Sequence, residues 1–259
     1  MNELLKKTKC FLLDLDGTIY DDDDVIDGAI DAVNRMRKRG KVVFLTNNSS
    51  LSVEDYLARL TRLGFAPTPD EVVTAGTATI EYVRARYGDS ARVFALCTDS
   101  FRKEAIKSGL NLVDSDPDVA IVCYDTDVTF KKFEKTCDFV FAGVPYVASH
   151  PDVACPKEGG MKPDVGSFVA LIETATGVKP AAICGKPFSP MAEVITSRYG
   201  VSPAETAMFG DRMETDIRFG ANNGFTSVLV LTGATTRDAL SSYDFAPDVI
   251  LDSVAEWDD

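Results

Sequence analysis

Short runs that are apolar at nearly every position alternate with stretches whose apolar residues recur at helical spacing. Residues 10–14 read as the first strand, followed by a helix over 29–39, a strand over 42–46 and a helix over 53–63. A short strand over 71–74 then leads into a helix over 77–87. The same alternation returns near the end, with strands over 181–184, 206–209 and 226–231 and helices over 190–199 and 215–223. Strands that are apolar throughout and separated by helices predict a parallel sheet covered on both faces. Right-handed crossovers then bring every strand's C-terminal end to one edge, where ligands usually bind.

The middle of the chain, about 80–179, carries an alternation of its own. Strands are predicted over 92–96, 119–123 and 145–149, and helices over 101–107, 130–140 and 165–176. This predicts a second α/β domain inserted into the first, with the chain divided as 1–79, 80–179 and 180–259. The acidic run Asp21–Asp24 reads as a solvated loop.

Composition narrows the field of functions. With 45% apolar and 26% charged residues, the 259-residue chain has the balance of a globular protein, not of a disordered one. Asp and Glu total 40 against 27 Lys and Arg, a net charge of −13, which argues against binding nucleic acid or an anionic membrane. An anionic substrate would need a local cation to offset that field. The first apolar run is cut by Asp14 and Asp16, so it suits neither a signal sequence nor a membrane span. The six cysteines are scattered without a C-x-x-C pair. They are expected to be reduced thiols in the cytoplasm, with no disulfide scaffold or zinc site.

Four segments carry candidate chemistry. Phe11-Leu-Leu-Asp-Leu-Asp-Gly-Thr18 ends an apolar strand in two carboxylates and a turn glycine, a costly place for like charges unless something compensates. Val42-Val-Phe-Leu-Thr-Asn-Asn48 ends a buried strand in a hydroxyl and two amides; this is ordinary turn chemistry or a phosphate cradle. Ile183-Cys-Gly-Lys-Pro187 sets one lysine at a strand's C-terminal end, and Met208-Phe-Gly-Asp-Arg-Met-Glu-Thr-Asp216 sets Asp211 after a strand and Asp216 in a helix's first turn. Each alone reads as capping or surface charge.

In this order and spacing the four segments resemble the haloacid dehalogenase-like (HAD) superfamily, and most closely its subfamily IIA, the NagD-like and p-nitrophenyl-phosphatase-like group. T-N-N-S-S after the second strand and S-H-P-D at 149–152 resemble that group too. The resemblance implies a Rossmann-like doubly wound core with an inserted α/β cap of the C2 type. Only 27 residues separate Thr18 from Thr46, whereas 137 separate Asn48 from Lys186, so the cap fits only the second position. That spacing, together with Asp16, argues against a dehalogenase.

The resemblance implies a Mg²⁺-dependent phosphatase for small phosphomonoesters. Asp14 would be the nucleophile and Asp16 the general acid and base. Thr46, Asn47 and Lys186 would bind the phosphate, and Asp14, Asp211 and the backbone carbonyl of Asp16 would hold the metal. Asp216 would bind a metal water or orient Lys186. His150, the sole histidine, is either a turn residue before Pro151 or a substrate contact from the cap, with Asp152 and the 159–164 loop as neighbours. A phosphotransferase or mutase of the same superfamily is the alternative, followed by a non-catalytic phosphate-binding protein. Oligomeric state stays open, a homodimer through the cap included.

Overall fold

The computed structural model describes residues 3–157 and 159–257. In chain order it runs β1 (Cys10–Leu13), β2 (Tyr20–Asp21), β3 (Asp24–Val25), α1 (Ala29–Arg39), β4 (Lys41–Thr46), α2 (Val53–Arg62), β5 (Val72–Thr74) and α3 (Ala75–Tyr87). Next come β6 (Arg92–Leu96), α4 (Asp99–Lys107), β7 (Asn111–Leu112), β8 (Val119–Val122), α5 (Phe130–Phe141), β9 (Tyr146–Ala148), β10 (Ala154–Lys157), β11 (Gly160–Pro163), α6 (Val165–Thr176) and β12 (Ala182–Ile183). The chain closes with α7 (Ser189–Tyr199), β13 (Thr206–Gly210), α8 (Arg218–Asn223), β14 (Thr226–Val230) and β15 (Val249–Leu251). It forms two compact units, one of residues 1–46, 54–73 and 186–259, the other of 47–53 and 74–185.

The first unit is built on a six-stranded sheet ordered β15-β14-β13-β1-β4-β5. Pairing from β15 through β4 is parallel. All four residues of β1 are fully buried, as expected of a central strand with helices on both faces. α1 buries Ala29, Ala32, Val33 and Met36, the i, i+3, i+4, i+7 stripe of a helix lying on a sheet. The C-terminal segment is tied down by Arg35, whose Nη2 donates to the carbonyls of Ala255 (3.1 Å) and Trp257 (2.9 Å). The Trp257 ring meets Phe11 edge-on at 5.2 Å. Chain order in the sheet reverses between β1 and β13, so a crevice opens at the C-terminal ends of those two strands.

The second unit has a five-stranded sheet, β12-β9-β8-β6-β7, with parallel pairing throughout. Leu96, Val122, Tyr146, Phe168 and Ile172 lie in its core. Several features depart from the sequence reading. β10 and β11 form an antiparallel ribbon where a loop was expected, and β15 was not predicted. Residues 21–24 are drawn partly into the β2–β3 hairpin. The helix expected over 215–223 opens with a π-helical turn, Met213–Ile217.

Candidate active site

Asp14 follows β1 directly, and its N–H donates to the Phe209 carbonyl at 2.9 Å, extending the ladder to β13 by one residue. Asp211 follows β13. Its Oδ2 accepts from the Ala234 N–H at 2.6 Å, while its Oδ1 is buried without a partner. Asp216 sits in the π-helical turn, close enough that a Cβ on Gly210 would overlap its side chain. Gly17 turns the chain away after Asp16 with φ +83°, and a Cβ there would stand 2.6 Å from Asp211 Oδ2. Both glycines are therefore required by close approach to a carboxylate.

Lys186 is almost wholly buried and bridges two of the acids, donating to Asp14 Oδ1 at 2.5 Å and to Asp216 Oδ1 at 2.6 Å. Asp216 Oδ2 accepts from the Arg212 N–H at 3.1 Å, so both of its oxygens are engaged. Carboxylate oxygens of Asp14, Asp211 and Asp216 all lie within 4.8 Å of one another. Three acids thus face one ammonium.

The electrostatics follow from that imbalance. Burial pushes the Asp14 carboxyl well above the usual carboxylate range, and Asp216 and Asp211 add to the rise while Lys186 opposes it. Burial and Asp216 push Asp211 up to about 6. Burial works against the Lys186 charge, yet Asp14 and Asp216 outweigh it and hold the ammonium above its ordinary value. Hard divalent cations take carboxylate oxygens, and the unpartnered Asp211 Oδ1 is such an oxygen left free beside two other acids.

Asp16 lies on the outer side of this cluster with 56% of its side chain exposed. Partial desolvation raises its carboxyl, with the Arg59 and Arg212 guanidiniums pulling the other way. Thr46 ends β4, and the pairing of Leu13 with Phe44 sets Thr46 and Asp14 at neighbouring levels on adjacent strands. The Tyr56 hydroxyl is hydrogen-bonded to the Thr46 side chain.

Asn47 belongs to the second unit, where its Nδ2 donates to Asp152 Oδ2 at 3.0 Å. His150 is also there, 1% exposed, with Nδ1 at 3.0 Å from Ser149 Oγ and Nε2 at 2.9 Å from Asp164 Oδ1. Both ring nitrogens are engaged inside the unit. Of its expected neighbours, Asp164 is the partner and Asp152 is taken by Asn47.

Sequence reasoning missed the 232–235 loop and Arg59. The loop supports the site through Thr232 Oγ1 donating to the Gly17 carbonyl (2.6 Å), the Ala234 N–H, and the Thr235 N–H donating to the Asp211 carbonyl (3.1 Å). Its signal was the Thr-Gly-Ala-Thr-Thr run just after an apolar strand.

A family model described as haloacid dehalogenase-like hydrolase matches residues 11–111, and a second, HAD-hydrolase-like model matches 183–257. Together these span more than half of the chain. The chain belongs to the haloacid dehalogenase-like hydrolases. Within that family it is 32% identical to the 5'-nucleotidase YutF of Bacillus subtilis, over 98% of each chain. It is 31% identical to an acid sugar phosphatase of Staphylococcus aureus, over 94% of each. A solved structure of 4-nitrophenylphosphatase from Thermotoga maritima superposes with a TM-score of 0.94 at 37% identity, covering 98% of both chains. This HAD hydrolase is therefore a phosphatase of the NagD-like group. Among its described residues no helix is long and apolar enough to cross a membrane.

Proposed function

We propose that this phosphatase is a cytoplasmic, Mg²⁺-dependent hydrolase of small phosphomonoesters that works through a phosphorylated Asp14. The observation that carries the reading is the convergence of Asp14, Asp211 and Asp216 on the single ammonium of Lys186. With a phosphate dianion present, the three acids bring five negative charges against one positive. Carboxylate oxygens of Asp14 and Asp211 and the Asp16 carbonyl would hold Mg²⁺, which would supply the two further positive charges a dianion needs.

An Asp14 oxygen attacks phosphorus as the bond to the leaving oxygen breaks. Asp16, whose raised carboxyl holds its proton more readily than an ordinary aspartate, gives that proton to the departing alkoxide. As a carboxylate it then takes a proton from water, and the water oxygen displaces Asp14 from phosphorus, releasing inorganic phosphate. Lys186, Thr46 and, next in the chain, Asn47 offer N–H and O–H donors to the phosphoryl oxygens, where charge spreads in the transition state. Asp216, with one oxygen on Lys186 and the other on the Arg212 amide, orients the lysine. Nucleoside monophosphates, sugar phosphates, glycerol phosphate and p-nitrophenyl phosphate are the substrates this reading covers.

Two variants test it. Asp14→Asn is expected to give neither product nor covalent label with any ester. Asp16→Asn is expected to lose roughly 10²–10⁴-fold on an alkyl phosphate, whose leaving group needs the proton. From p-nitrophenyl phosphate the same variant releases a burst of p-nitrophenol stoichiometric with enzyme, then stalls with acid-stable label on Asp14. Equal losses on both esters with no burst overturn the role given to Asp16.

A further inference from the structure

Arg59 is a cation that the chemistry above leaves without a task. It projects from α2 beside the buried Tyr56 and Leu60, with only 23% of its side chain exposed, a low value for an arginine. Its guanidinium carbon lies 4.7 Å from the centre of the buried Tyr20 ring. Nη2 donates to the Asp22 carbonyl at 2.6 Å and stands 3.9 Å from Asp16 Oδ1, 3.7 Å from Asp22 Oδ1 and 3.9 Å from Asp23 Oδ1. The arginine therefore touches the β2–β3 hairpin at its ring and at its turn while facing the carboxyl of Asp16.

The chain itself links those partners. Gly17 N–H donates to the Tyr20 carbonyl at 2.7 Å, so the turn that carries Asp16 is also the base of the hairpin. At 3.9 Å the guanidinium is too far to form a charge-assisted hydrogen bond with Asp16. It is near enough to draw the carboxylate to one side of its turn without fixing it in a bidentate clamp. A group that must reach first a leaving oxygen and then a water needs that combination of bias and freedom.

We propose that Arg59 is a positioning residue that sets the place of the Asp16 carboxyl through the β2–β3 hairpin and its own charge. The inference rests on the role given to Asp16 above. Neighbouring Arg62 makes the comparison possible, because it grips the same hairpin through both oxygens of Asp23 (2.9 and 3.1 Å) without facing Asp16.

The test measures kcat/KM on an alkyl phosphate and on p-nitrophenyl phosphate for R59A, R59K, R62A and D16N in parallel. R59A is expected to lose about 10- to 100-fold on the alkyl ester and less than about 3-fold on the activated one, a smaller copy of the D16N pattern. R59K, which keeps the charge but not the planar fork, recovers part of that loss. Equal losses of R59A on both esters, or the same split in R62A, overturn the inference, because hairpin anchoring alone then accounts for the effect. A D16N variant without any split overturns the reading of Asp16 instead. Should R59A not fold, R59K carries the test, and wild-type behaviour on both esters counts against the proposal.

Discussion

Asp211 ties the site's chemistry to the stability of the fold. Its carboxyl titrates at about 6 in the folded protein against an ordinary 3.8. Between those values the folded state holds a proton that the unfolded chain has released, so each step up in pH favours unfolding. The gap is about two pH units at 1.36 kcal/mol each, and metal-free protein should lose ~3 kcal/mol through this residue as pH rises from well below 4 to well above 6. Asp211→Asn resembles the protonated form and keeps an acceptor for the Ala234 N–H. In EDTA the variant should equal wild type near pH 4 and exceed it above pH 6 by ~3 kcal/mol. Saturating Mg²⁺ should reverse the order above pH 6, because the ion stabilises only the chain that holds it. Urea titrations at half-unit intervals, with and without Mg²⁺, read the difference and cancel slopes from carboxylates outside the cluster, while Asp14, which Asp211 also raises, shifts with it. Parallel stability curves for the two proteins in EDTA would refute the claim that burial and Asp216 raise the Asp211 carboxyl.

Chelation with EDTA should abolish p-nitrophenol release and Mg²⁺ should restore it, whereas Ca²⁺ should inhibit, since its larger shell engages both oxygens of Asp14 and ties up the attacking one; full turnover in excess chelator contradicts the mechanism. Gly210→Ala should cost about 1–3 kcal/mol or more by crowding the Asp216 side chain, with a loss of kcat as Lys186 loses its second anchor. A variant with wild-type melting temperature and wild-type kcat would show that the close approach is not needed.

Legibility in the sequence followed burial. β1, β4, β13 and β14 are almost wholly interior, so their apolar runs stand out without any structure. β11 is exposed at every position, and β15 is buried at one residue of three; neither leaves a pattern against which a strand could be read. The acids of the site were legible because carboxylates at the ends of buried strands demand an explanation. Arg59 was not, since an arginine in an amphipathic helix looks the same whether it faces water or folds over a tyrosine. The partners of His150 were not legible either, since Ser149 adjoins it in any fold but Asp164 meets it only through the folded chain.

The placing of β1 between β4 and β13 has a consequence for the order of events during synthesis. Asp14 leaves the ribosome ahead of the second unit, yet the strand beside it begins at Thr206, and Lys186 and Asp211 follow that whole unit. That unit's five strands all lie between Arg92 and Ile183, so its sheet can close while β1 still lacks one neighbour. Until residues 186–216 emerge, Asp14 has neither its lysine nor its two neighbouring acids. A nascent chain that stops short of Asp216 thus lacks the assembled cluster of three acids and one lysine.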